Sequence, residues 1–458
     1  MNVPSAPGRP LRYVPVLLAF LAVFVAAINL RAGIASLGSV LDDVLTDLDA
    51  GGPLAGVVTA MPGLFFAIMG LAAVPLASKL GLSKMLTGGM VLTLIGLAVR
   101  PWVGDIWIFI ALTAFVVAGI ALANVLLPAW IKNHGGRHIV ALMTIYTSVL
   151  GLSGALGPLS ALLFSGDDAW RWALFIWAFL AAAQVVVWVF VAARTGYDFP
   201  SAGRARVVPA GASDTPPAGD SRGTSAEHTA SDADEATHPD AEAATQADTD
   251  AAAQSDPTGA RGSLWRAPTA LFLMLFFGLQ SMNAYIQMGW LPQIYVDSGV
   301  SASVGSVALA MVGGLNVVGG LVMPVIIDRV RRLELFPVLF SGLTALGYLG
   351  LYLATDTVPL LWALLLGLGG FCFPTALALI PARSRNPLVT ARVSGFVQPF
   401  GYIVAAVGPF LVGVVYGETG EWSGILLVLV AVTVVMALFG YRASRRGFID
   451  DELAAVAA

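Results

Sequence analysis

Twelve stretches of this chain are long and apolar enough to cross a lipid bilayer, and no other feature restricts the fold as much. Crossing about 30 Å of hydrocarbon takes roughly 20 mostly apolar residues as a helix. Runs of that kind lie near 11–41, 54–77, 83–103, 105–130, 138–164 and 169–193, and again near 266–294, 300–327, 335–354, 358–381, 391–416 and 423–441. Inside lipid the backbone has no water to bond, so each run must satisfy its own N–H and C=O groups as a helix. Only 11% of the residues are charged and 57% are hydrophobic, whereas soluble domains carry about a quarter charged residues. Such a chain cannot cover a water-facing surface, which excludes a soluble enzyme. The first run is too long for a signal-peptide core and has no small-residue cleavage pattern behind it, so it reads as a retained helix. The expected fold class is an all-α integral membrane protein of twelve transmembrane helices.

The spans fall into two groups of six, which divide the chain into an N-terminal segment (1–10), a six-helix bundle (11–193), a linker (194–265), a second six-helix bundle (266–441) and a tail (442–458). The linker is rich in Ala, Asp, Thr, Ser, Gly and Pro, as in Ala230-Ser231-Asp232-Ala233-Asp234-Glu235. It holds too little apolar surface to offset its ordering entropy and is expected to carry no structure. Orientation follows from Lys and Arg in the short loops. With both termini cytoplasmic, the inner loops collect Lys79, Lys84, Lys132, Arg137, Arg194, Arg266, Arg329, Arg331, Arg332, Arg383, Arg385 and Arg392, with Arg9, Arg12 and Arg442 in the terminal segments. The outer loops then hold only Arg100 and Arg171, beside Asp42, Asp43, Asp47, Asp105, Asp297 and other acids. The expected location is the cytoplasmic membrane, with both ends and the acidic linker inside.

The halves also echo each other. Gly56 and Pro75 in span 2 are spaced like Gly305 and Pro324 in span 8. Gly157-Pro158 in span 5 answers Gly408-Pro409 in span 11, and Pro128 and Pro381 are expected to end spans 4 and 10. Six spans, a long inner loop and six more is the layout of a major facilitator superfamily carrier, with its solute site between the halves at the midplane. The loop after span 8, Asp328-Arg329-Val330-Arg331-Arg332, resembles that superfamily's cytoplasmic charge clasp. The matching loop after span 2 has Ser78 where an acid is expected, so the clasp is incomplete there.

A narrower resemblance runs through all twelve spans and omits the acidic linker. Asn29-Leu30-Arg31, Asn124-Val125-Leu126-Leu127-Pro128, Trp170-Arg171-Trp172, Phe276-Phe277-Gly278-Leu279-Gln280-Ser281, Trp290-Leu291-Pro292 and Gly401-Tyr402 resemble the cyanate and 2-nitroimidazole transporter branch. The resemblance implies a carrier of small solutes.

Among polar residues within the spans, Arg31 is the one charge placed deep in a run, about 30 Å along a helix of about 45 Å if span 1 starts at residue 11. A centred Arg costs about 2.5–3.5 kcal/mol, so it faces a cavity or a partner. No Asp, Glu or His lies in the interior of any of these runs to pair with it, and a small anion fits the planar guanidinium fork. The competing reading is that Arg31 snorkels to the outer interface. Asn29 lies about 200° round the helix from Arg31, which assigns it to packing. In span 7, Gln280, Asn283, Gln287 and Trp290 step by one helix face and are expected to line the path, as are Gln398 and Tyr402 in span 11. Asn124, Tyr146 and Asn316 are isolated polar residues in the pore or in packing contacts, and Asp328 and Arg329 form the clasp.

No cofactor or metal site is expected. Cys372 is the only cysteine, and His134, His138, His228 and His238 are expected in cytoplasmic segments, none in the interior of a run. The chain shows no Walker A loop or HExxH pattern and no GxSxG pattern within its apolar runs, so it is expected not to be an enzyme. The reading is a secondary or facilitated transporter of a small anion or small polar heteroaromatic compound, working by alternating access as a monomer in the bilayer, with no nucleic-acid partner. A multidrug or xenobiotic efflux carrier, or a non-transporting polytopic receptor or enzyme, is the alternative. Without a carboxylate in the path, uniport, exchange or proton movement with a weak acid is expected, unless Asp42 or Asp43 at the outer mouth takes part.

Overall fold

The computed structural model of the chain describes residues 14–199, 262–330, 332–445 and 447–457, the side chains at 324, 325, 327–329, 387, 388, 456 and 457 excepted. The proposed clasp side chains of Asp328 and Arg329, and most of the acidic linker, lie outside the described residues. Both six-span halves belong to one compact unit.

Twelve helices among the described residues are long and apolar enough to span. Spans 1–6 are Val16–Gly38, Gly52–Leu80, Leu82–Trp102, Ile106–His134, Gly136–Leu163 and Ala169–Thr195. Spans 7–12 are Pro268–Asp297, Ala302–Met323, Leu335–Ala354, Pro359–Ala382, Val389–Thr419 and Ser423–Ala443. No strand is present among the described residues. Leu17, Val140, Phe179 and Leu353 stand exposed on the outside of the bundle, as expected where lipid tails rather than water are the solvent.

Two elements depart from the sequence pattern. Pro128 does not end span 4; the helix continues through it to His134, because a membrane helix can recover the lost backbone bond from its neighbours. Span 10 is one apolar run but two helices, Pro359–Gly369 and Cys372–Ala382. The break falls where span 8 presses in: a Cβ at Gly370 would lie 2.9 Å from Asn316 Oδ1.

The linker was expected to be structureless from residue 194, yet its first residues are built into the fold. Span 6 runs through Thr195. Tyr197 Oη donates to the Ser78 carbonyl (2.5 Å), and buried Asp198 accepts from Ser83 N–H (3.1 Å) and Ser83 Oγ (2.6 Å). Trp130 Nε1 donates to the same Ser83 hydroxyl at 2.8 Å, and the Asp198 carboxylate lies 3.5 Å from His134 Nε2. Gly81 permits this approach twice over: its φ is +93°, and a Cβ there would sit 2.9 Å from Asp198 Oδ1. The acid missing from the loop after span 2 is therefore supplied by the chain leaving span 6. His134, read as a loop residue, is the last residue of span 4 and stacks on Trp130 at 4.8 Å.

The other half has a similar latch. The tail includes a helix, Ile449–Ala457, with Ile449 and Leu453 buried. Asp450 accepts from the Arg385 and Asn386 amides (2.9 and 3.1 Å), Asp451 pairs with Arg385 (2.8 Å), and Glu452 accepts from Thr269 Oγ1 (2.6 Å). A short amphipathic helix, Leu41–Asp47, joins spans 1 and 2.

The halves meet through small residues, which let membrane helices approach at backbone distance. Spans 2 and 11 run antiparallel, with Gly52 against Gly417, Gly56 against Gly413, Gly63 against Ala406 and Gly70 against Pro399. A Cβ at Gly56 would lie 2.7 Å from the Phe410 carbonyl, and one at Gly63 would lie 2.8 Å from Ala406 N. Spans 5 and 8 meet at Gly154 and Gly313, and spans 1 and 7 where Gly38 abuts the Met288 carbonyl. These approaches run from the side away from the termini down to Gly70 and Pro399. That side of the seam is closed.

Candidate functional site

Span 1 starts at Val16, which puts Arg31 about 22 Å along a helix of about 33 Å. Ser153 of span 5 reaches into the span 1 hydrogen-bond ladder at this turn: its Oγ accepts from Arg31 N (3.1 Å) and Ala32 N (2.8 Å) and donates to the Ile28 carbonyl (2.5 Å). Such insertion is an established cause of helix bending. The Arg31 stem then lies against Gly154, where a Cβ would stand in ordinary van der Waals contact with Arg31 Cδ, at 3.5 Å.

The guanidinium ends among aromatic rings from both halves. Its Cζ stands 5.7 Å from the Phe373 ring centroid in span 10. Tyr146 of span 5, Tyr285 of span 7 and Tyr402 of span 11 all lie within its electrostatic reach. The rings form a continuous wall, with Tyr402 at 5.2 Å from Phe66, 5.1 Å from Phe277 and 6.3 Å from Tyr285, and Phe277 at 5.9 Å from Phe373. Among the described residues, the ion pairs are Arg171 with Asp47 and Asp168, Arg385 with Asp451 and His134 with Asp198. None involves Arg31. A cation with donor-only nitrogens, phenolic hydroxyls and ring faces suits a flat ligand that carries negative charge or acceptor atoms.

The expected site residues separate in space. Tyr146 and Tyr402 join Arg31. Gln398, one turn from Tyr402, donates to Ser394 Oγ (2.8 Å) and lines a groove of about 640 Å³ between the terminus-side ends of spans 10 and 11.

The span 7 row does not converge on Arg31. Gln287 Nε2 donates to Tyr348 Oη in span 9 (3.2 Å), and Asn283 Nδ2 donates to the Leu279 carbonyl (2.8 Å) and faces Met436 Sδ in span 12. Gln280 Oε1 accepts from Ser281 Oγ. Trp290 Nε1 crosses the seam to Thr59 Oγ1 (3.2 Å), with its ring against Tyr416 and Trp422. Tyr285 lies two residues from both Asn283 and Gln287, about 200° away, so it presents the opposite face of the same helix to Arg31. Sequence reasoning missed Tyr285, Phe66, Phe277 and Phe373 because single aromatic residues in apolar runs look like packing. Asn29, Asn124 and Asn316 each donate to a carbonyl one turn back in their own helix.

Two features lie at the side away from the termini. Arg100, read as an outer-loop cation, is instead fully buried at the end of span 3, where Nη2 donates to the Gly33 carbonyl (2.6 Å). Asp297 accepts from Tyr416 Oη (2.6 Å) and Trp422 Nε1 (2.7 Å). Partial burial raises the Asp42 pKa above the ordinary carboxylate value, helped by the charge of Asp297; burial and Asp42 do the same to Asp43. A raised folded-state pKa favours the protonated fold, so this contribution is complete below the ordinary carboxylate value and is lost as pH rises through the raised one. Asp42→Asn is therefore expected to melt above the wild type at pH 7, with the gap closing toward pH 4. Thermal unfolding across that range checks this, and a gap independent of pH would remove the carboxylate coupling.

A family model described as Major Facilitator Superfamily matches residues 19–409. The chain is 26% identical over 427 residues to the uncharacterized transporter YycB of Bacillus subtilis (strain 168), covering 92% of each chain. It is 25% identical to the 2-nitroimidazole transporter of Escherichia coli (strain K12), covering 92% of this chain and 94% of the relative. To the cyanate transport protein CynX of the same organism it is 21% identical, over 92% and 96% of the two chains. The crystal structure of a D-xylose-proton symporter matches with a TM-score of 0.66 at 12% identity, covering 93% of this chain and 97% of the other, a likeness of fold. With twelve membrane-spanning helices in two halves and a family match that reaches from span 1 into span 11, this chain belongs to the major facilitator superfamily and is a transporter rather than an enzyme.

Proposed function

We propose that the protein carries a small planar anion or a small polar heteroaromatic compound across the cell membrane by alternating access. Arg31 is the charge partner, and Tyr285, Tyr402 and Phe373 form the walls. One observation supports this above the others: the Arg31 cation of span 1, without a carboxylate partner among the described residues, stands where helices of both halves meet, among rings from spans 2, 5, 7, 10 and 11. Guanidinium binds carboxylate-like groups in a fixed plane, and ring faces add contact with flat ligands at little entropic cost. The names of two relatives, a 2-nitroimidazole transporter and a cyanate transport protein, describe small polar solutes of this kind.

The Lys and Arg distribution supports cytoplasmic termini. In that orientation the seam at Gly56 and Gly413 is closed toward the outside, and transport requires it to part while the cytoplasmic ends close.

The test is tracer uptake into proteoliposomes with 2-nitroimidazole, cyanate, a small aromatic carboxylate, xylose and a quaternary ammonium cation. Saturable entry of one of the first three, competed by unlabelled compound, is expected. Entry of the cation alone would reverse the charge assignment and sink the proposal.

A further inference from the structure

Gly33 lies two residues beyond Arg31 and therefore about 200° round span 1, and there it meets a second cation. Arg100 is 0% exposed. Its Nη2 donates to the Gly33 carbonyl at 2.6 Å, while Nε and Nη1 have no hydrogen-bond partner. Its Cζ stands 5.9 Å from the Phe109 ring centroid in span 4.

Three more buried polar atoms without partners stand on the adjoining helix walls: Ser36 Oγ, Thr113 Oγ1 and Trp170 Nε1. Ser36 is one turn along span 1 from Gly33. Thr113 is one turn along span 4 from Phe109. The Trp170 ring, in span 6, meets Phe109 at 6.5 Å. The neighbouring cation, Arg171, is already engaged by the Pro101 carbonyl, Asp47 and Asp168. Among the described residues no ion pair involves Arg100. The rings of Trp102, Trp172 and Phe175 pack on one another just beyond it.

Buried polar groups without partners are rare in native proteins, and a buried unpaired charge is rarer still. Here the unsatisfied groups are of one kind. Guanidinium and indole nitrogens only donate, and the two hydroxyls can turn to donate. A water molecule would need acceptors for its own hydrogens and would leave the charge in place. An anion satisfies the donors and cancels the charge together.

We infer that spans 1, 3, 4 and 6 enclose a binding site for a halide-sized monoanion, with Arg100 as its charge partner and Ser36, Thr113 and Trp170 completing its donor shell. The site lies within the N-terminal half, separate from Arg31, and ties span 1 to its neighbours on the face opposite the proposed solute site.

The experiment uses purified full-length protein in detergent, melted by intrinsic fluorescence while sodium bromide replaces sodium gluconate at constant ionic strength. The wild type is expected to show a saturable rise in melting temperature with bromide. Arg31→Ala, which removes the cation of the proposed solute site, is expected to keep that rise. Thr113→Val is expected to shift the half-maximal bromide concentration about tenfold upward, and Arg100→Gln to lose the response. If Arg100→Gln does not fold, Thr113→Val and Ser36→Ala decide the matter. Equal melting in bromide and gluconate, a response lost in Arg31→Ala, or a wild-type response in Thr113→Val and Arg100→Gln would each overturn the assignment and leave Arg100 as a helix staple only. None of these outcomes depends on which solute Arg31 binds.

Discussion

Arg31→Ala is expected to lower solute flux in proteoliposomes by about thirtyfold or more while the protein remains folded. Removing one partner of a buried, hydrogen-bonded charge pair costs about 2–5 kcal/mol, and each 1.4 kcal/mol is roughly a factor of ten. The low end of that range is about thirtyfold and the high end exceeds a thousandfold. Stability is expected to change far less. The Arg31 side chain makes no ion pair among the described residues, and its stem lies against Gly154. Arg31→Lys keeps the charge but loses the planar fork, so it is expected to retain a measurable fraction of the flux. Tracer uptake beside thermal unfolding separates binding from folding. Wild-type flux in Arg31→Ala would make the residue structural and move the solute contact elsewhere in the cavity.

The second large effect is expected at the seam. A Cβ at Gly413 would overlap Gly56 Cα and N, so even alanine requires spans 2 and 11 to separate. Overpacking of this kind costs about 1–3 kcal/mol, charged chiefly against the state in which this side is closed. Gly413→Leu is expected to shift the protein toward opening on the side away from the termini and to cut flux by about tenfold or more. The chain's single cysteine, Cys372, is buried and leaves little labelling background. Thr59→Cys, placed beside Trp290 at the seam, reports the opening. It should react with an impermeant maleimide faster in the Gly413→Leu background than in wild type. Equal labelling and unchanged flux would show that the seam does not gate.

How far the site was legible follows from particular residues. Arg31 stood out because a charge in an apolar run is costly wherever the helix turns. Tyr402 was found through its i, i+4 relation to Gln398, yet only Tyr402 reaches the ring wall. The span 7 row of Gln280, Asn283, Gln287 and Trp290 is a real helix face, but it turns toward Tyr348, Met436 and Thr59. Periodicity shows which residues share a face and says nothing of what the face meets. Asp198 was hidden for a related reason. It opens a segment whose composition is that of an unstructured linker, and its partners, Ser83 and His134, are distant in sequence and close only when spans 3 and 4 pack beside span 6.

By itself the sequence determined the number of crossings, the division into two halves and the bias of basic residues to one side. Each apolar run meets the same cost for exposing unsatisfied backbone, so that cost acts run by run and needs no knowledge of the neighbours. Only the tertiary structure decided which polar groups face one another. Helix rotation in a membrane bundle is set by close packing of small residues such as Gly56, Gly154 and Gly413, a cooperative property of paired surfaces. That packing turned Tyr285 rather than Gln287 toward Arg31 and buried Arg100 against Gly33. It also brought Asp198 to Ser83, where the loop after span 2 lacks an acid.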